Sequence, residues 1–230
     1  MPVVEVKNVT RTYEEKGMPP AQALRGVSLS IEKGEFMALA GPSGSGKTTL
    51  LNIIGGIDAA TSGEVVVDGQ KLSGLSRTAL ADLRRDRIGF VFQAYNLVPV
   101  LTAAENAEYV LQLKGVGAAE RREKVKALFE RIGLGKYLDS RPLKMSGGQQ
   151  QRVAVARAIV SEPAVVLADE PTANLDQKTG AELMDLMHQL NRERGITFIF
   201  STHDPMVLSR AQRVVRLVDG EVVASEDKKT

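Results

Sequence analysis

The sequence predicts an α/β protein with a mainly parallel sheet, an antiparallel β layer and an inserted helical segment. Three observations carry this. Short apolar runs, "FMALA" at 36–40, "AVVLAD" at 164–169 and "TFIFST" at 197–202, have the length and composition of strands buried on both faces. Helical patterns separate them: Leu183, Leu186, Met187 and Leu190 recur at i, i+3, i+4 and i+7 between the second run and the third. Two Asp-Gly pairs, Asp68-Gly69 and Asp219-Gly220, stand between apolar runs and signal hairpins.

Taken in order, "VVEVKNVTRTY" near the start alternates as a strand does, and a Lys33-Gly34 turn separates two β-like runs in "VSLSIEKGEFMALAG". In the middle, Val125, Leu128, Phe129 and Ile132 form a helical stripe within "ERREKVKALFERIGL". The chain is read as a single domain, 1–230. Residues 1–94 and 161–230 make the α/β core with its antiparallel layer, and residues 95–160 make a mostly helical subdomain. The closing "SEDKKT" is expected to fray.

A length of 230 residues suits one sizeable α/β domain. Thirty Lys and Arg against 28 Asp and Glu leave a net charge of +2, so nothing in the charge argues for a nucleic-acid partner, and none is expected. With no cysteine, there is no disulfide framework or zinc-finger spacing. No apolar run approaches the roughly 20 residues of a membrane span, and "MPVVEVKNV" lacks a signal-peptide pattern. The expectation is a soluble cytoplasmic protein that meets a membrane only through a partner.

Open α/β sheets bind ligands at the carboxyl ends of their strands, and each of the three parallel runs ends in a polar cluster. After "FMALA" comes "GPSGSGKTT", which matches G-x-x-x-x-G-K-[ST] between a strand and a helix. Its glycines let backbone N–H groups close around phosphates. Lys47 reaches the β- and γ-phosphates, and Thr48 offers its hydroxyl to Mg²⁺. This pattern predicts a P-loop NTPase core. The run "VVLADE" ends in two carboxylates, which are costly at a buried strand end without a cation or hydrogen bonds. Asp169 is placed to hold Mg²⁺ and Glu170 to polarise an attacking water. "FIFSTHD" ends at His203, where a donor could contact the γ-phosphate and orient water. "IGFVFQAYNL" carries Gln93, whose amide oxygen could ligate Mg²⁺ or that water. Tyr13 could stack on an adenine ring, although a strand tyrosine covering the core edge fits the spacing as well. His188, within a helical pattern, is read as structural or exposed.

A second phosphate grip stands in "KMSGGQQQRVAVARA". Ser146 followed by Gln149 reads as a capping box opening a helix, a start suited to an anion.

Together these residues resemble an ABC transporter ATPase, over nearly the whole chain. In order they match the A-loop (Tyr13), Walker A (Gly41, Pro42, Ser43, Gly44, Ser45, Gly46, Lys47, Thr48, Thr49), Q-loop (Gln93), signature (Ser146, Gly147, Gly148, Gln149), Walker B ("VVLADE"), D-loop (Asp176, in "NLD") and H-loop (His203). Met145 stands where the family usually has leucine. "RRDRIGFVFQAYNLVP", "ADEPTANLD" and "STHDPMV" are similar to the branch serving lipoprotein release and macrolide export, in which Ala173 is often glycine.

The resemblance implies ATP and Mg²⁺ as ligands, with Thr48, Gln93 and Asp169 around the metal. It implies a head-to-tail homodimer in which Ser146, Gly147 and Gly148 of one copy hold the γ-phosphate bound by the other. A permease would dock near residues 93–100, with exposed Tyr95 and Leu97, and hold the protein at the inner face of the membrane. The reading is a transport-coupled ATPase. The alternative is an ATP-gated binding or scaffold module, as in cell-division relatives. A chromosome-type ATPase would need a long coiled-coil or zinc insert, and the segment between motifs is short and free of cysteine.

Overall fold

The computed structural model describes residues 2–14 and 17–228. Four strands form an antiparallel sheet: β1 (Val4–Tyr13), β2 (Ala21–Ile31), β4 (Ser62–Val67) and β5 (Gln70–Lys71), in the order β2-β1-β4-β5. The second sheet has six strands: β3 (Phe36–Ala40), β6 (Ile88–Val91), β7 (Val165–Asp169), β8 (Thr197–Thr202), β9 (Arg213–Val218) and β10 (Glu221–Asp227), in the order β10-β9-β3-β8-β7-β6. Its strands pair in parallel except β10, which pairs antiparallel to β9.

The period of two along a strand explains the continuous apolar runs. Met37, Leu39, Leu167 and Ile199 face a core shared with Val4, Val6 and Val9 of β1. Their neighbours Phe36, Ala38, Val166, Phe198 and Phe200 face a second core with the helices. Phe36 and Phe200 have ring centroids 4.6 Å apart, and Phe36 and Phe198 5.6 Å. Each fully buried phenylalanine contributes about 1.5–3 kcal/mol of apolar transfer energy.

Helix α1 (Lys47–Ile54) follows β3, and α2 (Arg77–Arg87) leads into β6. Between β6 and β7 lie α3 (Ala103–Leu113), α4 (Ala118–Arg131) and α5 (Gly147–Ile159). Val125, Leu128, Phe129 and Ile132 are buried along α4, as their spacing predicts. Helix α6 (Gln177–Arg194) buries Leu183, Leu186, Met187 and Leu190, and α7 (Pro205–Arg210) follows β8. His188 is half-buried on α6, edge-on to Phe36 at 5.3 Å.

Both Asp-Gly pairs make the expected tight hairpins. Asp68 and Gly69 have φ of 48° and 77°, and Asp219 and Gly220 have 49° and 81°, the left-handed pair that two-residue loops require. Only the first hairpin belongs to the antiparallel sheet. The second adds β9 and β10 to the edge of the parallel one, where β9 extends the central β3. The Lys33-Gly34 turn likewise passes from one sheet to the other, so β2 and β3 are not a pair. The expected frayed tail is corrected as far as Lys228. A register shift between Val222 and Ala224 lets Ser225, Glu226 and Asp227 continue pairing with Val215, Val214 and Arg213. Lys229 and Thr230 lie outside the described residues.

Candidate functional site

The sheet order brings four predicted loops side by side. The P-loop follows β3, His203 follows β8, Asp169 ends β7, and Gln93 comes two residues after β6. Register aligns these ends: Ala40 pairs with Thr202, Asp169 with Ser201, and Val91 with Ala168.

Glycine is required at two P-loop positions by close approach. A Cβ on Gly41 would overlap the Leu217 carbonyl, and one on Gly46 would lie 2.6 Å from the Ala23 carbonyl oxygen. Gly46 is also the N-cap of α1, with φ of 98°, and supplies no side-chain cap. The first-turn N–H groups of α1 are therefore left to an anion. Lys47 is buried and donates from Nζ to the carbonyls of Gly41 at 2.8 Å and Pro42 at 2.9 Å. The Ser45 hydroxyl is buried with no hydrogen-bond partner. A glycine-lined loop, an uncapped helix start, a buried ammonium and an orphan hydroxyl fit a polyphosphate.

Thr48 Oγ1 lies 3.1 and 3.2 Å from the two carboxylate oxygens of Asp169. A hydroxyl beside one carboxylate at the phosphate loop fits a magnesium ion, which keeps few protein ligands and shares the substrate's phosphates. Gln93 is exposed. Its backbone carbonyl accepts from Asn174 Nδ2 at 2.9 Å.

Glu170 is held at both oxygens. Thr202 Oγ1 donates to Oε2 at 3.0 Å, and His203 Nδ1 lies 2.7 Å from Oε1. The Glu170 side chain is 17% exposed and that of His203 71%, so the carboxylate is sheltered and the imidazole reaches out. Glu170, just past the end of β7, has φ of 43°, an uncommon left-handed value for a non-glycine residue.

The capping box at α5 is present in full: Ser146 Oγ accepts from the Gln149 N–H at 3.3 Å, and Gln149 Oε1 accepts from the Ser146 N–H at 2.9 Å. It does not use the N–H groups of Gly147 and Gly148. A Cβ on Gly147 would lie 2.7 Å from the Tyr95 hydroxyl oxygen, and one on Gly148 would overlap Thr179. Thr179 in turn caps α6 through Asp176, donating its N–H at 3.0 Å and its hydroxyl at 2.6 Å. Those two bonds hold the Asp176 carboxyl below the usual range. Met145 is buried in the helical core, as the apolar exchange requires.

Tyr13 pairs with Ala21 across β1 and β2, two residues from the Ala23 carbonyl that abuts Gly46. It is 41% exposed. Tyr95 and Leu97 are half-buried rather than exposed. Leu97 packs on the helical core, and burial of Tyr95 raises its phenol above the usual value. Val98 and Val100 are exposed large apolar side chains of that loop. Asn106 organises it from α3, accepting from the Val98 N–H at 2.7 Å and donating to the carbonyls of Val98, Leu101 and Thr102.

Three residues of the site have no motif signal of their own. Thr202 precedes His203 and anchors Glu170. Gln151, fully buried on α5, donates from Nε2 to the carbonyls of Pro171 at 2.7 Å and Phe92 at 3.3 Å. Arg157 donates to the carbonyls of Asn96 at 2.5 Å and Tyr95 at 2.9 Å. The one trace in sequence is that Gln151 occupies the apolar stripe continued by Ala154, Val155 and Ala158.

A phosphate loop, a carboxylate beside its threonine hydroxyl and a sheltered carboxylate beside histidine, all on adjoining strand ends, define a P-loop ATPase. The family model described as ABC transporter matches residues 24–173. The chain belongs to the ABC transporter family, as its ATP-binding cassette. It is 46% identical over 228 residues to the uncharacterized ABC transporter ATP-binding protein MJ0796 of Methanocaldococcus jannaschii, covering 97% of each chain. It is 47% identical to the uncharacterized ABC transporter ATP-binding protein YbbA of Escherichia coli K12, covering 96% of each. It is also 46% identical to the macrolide export ATP-binding/permease protein MacB of Syntrophobacter fumaroxidans, of which it spans 31%. Among solved structures, it superposes with a TM-score of 0.90 and 45% identity, over 99% of both chains, on the dimeric post-hydrolysis state of the ATP-binding cassette MJ0796 bound to ADP and Pi.

Proposed function

We propose that two copies of this chain close head to tail around ATP and drive a permease of the lipoprotein-release or macrolide-export type. The observation that carries this reading is the separation of the two phosphate grips. The P-loop opens α1 after β3, while Ser146, Gly147 and Gly148 open α5, where the two glycines lie against Tyr95 of the loop after β6 and Thr179 of α6. A γ-phosphate held by the P-loop of one copy would meet Ser146, Gly147 and Gly148 of the other. The dimeric MJ0796 cassette supports the pairing.

In the closed dimer, Lys47 and the first-turn N–H groups of α1 offset charge building on the transferred phosphate. Thr48, Asp169 and Gln93 would hold a magnesium ion, which supplies further charge neutralisation when bound. Glu170 takes the proton of the attacking water, with Thr202 and His203 fixing its two oxygens. Water adds to the γ-phosphorus as the bond to ADP breaks, and the released phosphate and ADP let the copies part. Asp176 heads the segment that lies against the signature glycines. Residues 95–160 are read as the subdomain that carries the signature.

The permease would dock in the groove of about 370 Å³ beside residues 93–100, lined by Arg84, Phe90, Phe92, Asn96, Val110 and Leu113. That contact would hold the chain at the inner face of the membrane. No helix among the described residues is long and apolar enough to cross one.

The test is the size of the Glu170→Gln protein in solution. With ATP and Mg²⁺ it should elute as a dimer, and adding Ser146→Arg should return it to a monomer that still binds ATP. A monomer before the second substitution would overturn the shared site. Steady turnover by the parent protein favours the transport motor over the ATP-gated scaffold.

A further inference from the structure

Tyr13 does not stand free at the end of its strand. Its hydroxyl donates to Asp58 Oδ2 at 2.7 Å. The other carboxylate oxygen, Oδ1, pairs with the Arg11 guanidinium at 2.8 Å and accepts the Ala59 N–H at 2.8 Å. The same guanidinium lies over the Tyr13 ring, 4.4 Å from its centroid. Three side chains thus close a triangle: cation on ring, ring on carboxylate, carboxylate on cation.

Each corner is fixed to something rigid. Arg11 and Tyr13 are two apart near the end of β1, where a register shift between Arg11 and Thr12 lets the guanidinium lie over the ring. Arg11 pairs in register with Leu24 of β2, beside the Ala23 carbonyl that abuts Gly46. The Asp58 N–H donates to the Asn52 carbonyl of α1, the helix whose first residue is Lys47. The Thr12 N–H donates to the Thr61 hydroxyl at 3.0 Å, tying the strand end to the segment after Asp58. The Arg11 and Asp58 side chains are each only 23% exposed, and Arg11 Nε is buried without a hydrogen-bond partner. A guanidinium sheltered in this way is committed to the ring and the carboxylate rather than to water.

We infer that Arg11 and Asp58 are positioning residues that preset Tyr13 as a one-faced platform for the purine base of the bound nucleotide. The inference rests on the reading that residues 41–49 hold the phosphates and Tyr13 the base. Arg11 covers one face of the ring, so a base can take only the other. The guanidinium also draws charge from the ring, which favours stacking on an electron-rich purine. The Tyr13–Asp58 hydrogen bond fixes the ring's tilt. A platform already in place costs less ordering when the ligand arrives, so the gain belongs to base contact and not to phosphate contact.

The test compares ligands with and without a base on the full chain: MgADP and inorganic pyrophosphate, each titrated by calorimetry. Asp58→Ala and Arg11→Met should weaken MgADP by about five- to tenfold and leave pyrophosphate unchanged. Tyr13→Phe combined with Asp58→Ala should be no weaker than the worse single variant, because both act through one hydrogen bond. Thermal melting by circular dichroism reports folding. If Asp58→Ala does not fold, Asp58→Asn keeps an acceptor for Tyr13 and loses the charge pair, and an intermediate loss of MgADP affinity is expected. If Tyr13→Ala weakens MgADP but the Arg11 and Asp58 variants do not, the positioning role is overturned. If MgADP and pyrophosphate weaken together, the triangle only supports the fold. If Tyr13→Ala leaves MgADP unchanged, Tyr13 is not the base contact and the underlying reading fails with it.

Discussion

The side-chain amide of Gln151 donates to the Pro171 carbonyl at 2.7 Å and, from the same nitrogen, to the Phe92 carbonyl at 3.3 Å. One fully buried residue of α5 therefore joins the loop after β6, which carries Gln93, to the loop after β7, which carries Glu170. Replacing it by leucine leaves two carbonyls short of a donor. Because Gln151 Oε1 has no partner, its removal gives some of that back. Gln151→Leu should lower unfolding free energy by about 2 kcal/mol, measured as a shift of the urea midpoint at unchanged slope.

Glu170→Gln should reduce ATP turnover by roughly 10²–10⁴-fold while MgADP affinity holds, because the amide cannot accept the proton. Thr202→Val removes the donor to Glu170 Oε2 and leaves the base present but less well aimed. Its turnover should fall by about tenfold, the equivalent of one hydrogen bond to a charged group. Single-turnover rates at saturating ATP check both.

Chelating divalent cations should stop turnover without unfolding the protein. Among the described residues no group of three or more Asp, Glu or His side chains is placed to hold a metal ion. Asp169→Ala should raise the Mg²⁺ concentration for half-maximal turnover by about tenfold or more. Far-UV circular dichroism with and without EDTA should superimpose.

Burial raises the Glu35 carboxyl above its ordinary value of about 4.3, against the opposing pull of the Glu32 N–H and Arg213. The folded chain then keeps this proton to a higher pH than the unfolded chain does. Stability falls as pH rises from the ordinary carboxylate range through the raised value. Glu35→Gln cannot ionise and should lack this loss. The urea midpoint of the variant should therefore move up relative to the parent as pH rises above the ordinary carboxylate range.

How much of this was legible in the sequence follows from range. The P-loop, the Asp169–Glu170 pair and the Ser146 capping box are contiguous, and their chemistry is encoded in spacing. The apolar runs revealed which strands are buried on both faces. The sheet order was not legible, because Asp219-Gly220 signals a hairpin but not which sheet receives it. Its place was decided by pairing between Leu39 and Val215, far apart in the chain. Gln151 and Arg157 likewise meet partners 59 and 62 residues away, through backbone carbonyls that carry no residue identity. The half-buried state of Tyr95 depended on Gly147 coming up against its hydroxyl, a contact between loops that local pattern does not report.

The phosphate loop leans on the last hairpin. Gly41 abuts the Leu217 carbonyl, the Gly220 N–H donates to the Ser45 carbonyl at 3.2 Å, and the Gly220 carbonyl accepts the Arg25 N–H at 2.8 Å. A chain emerging from the ribosome exposes "GPSGSGKTT" early, but the wall that shapes it, at Leu217 and Gly220, follows only with the last two strands. Until β9 and its turn arrive, the loop lacks one side of its mould. ATP binding at the loop therefore depends on β9 and its turn being in place.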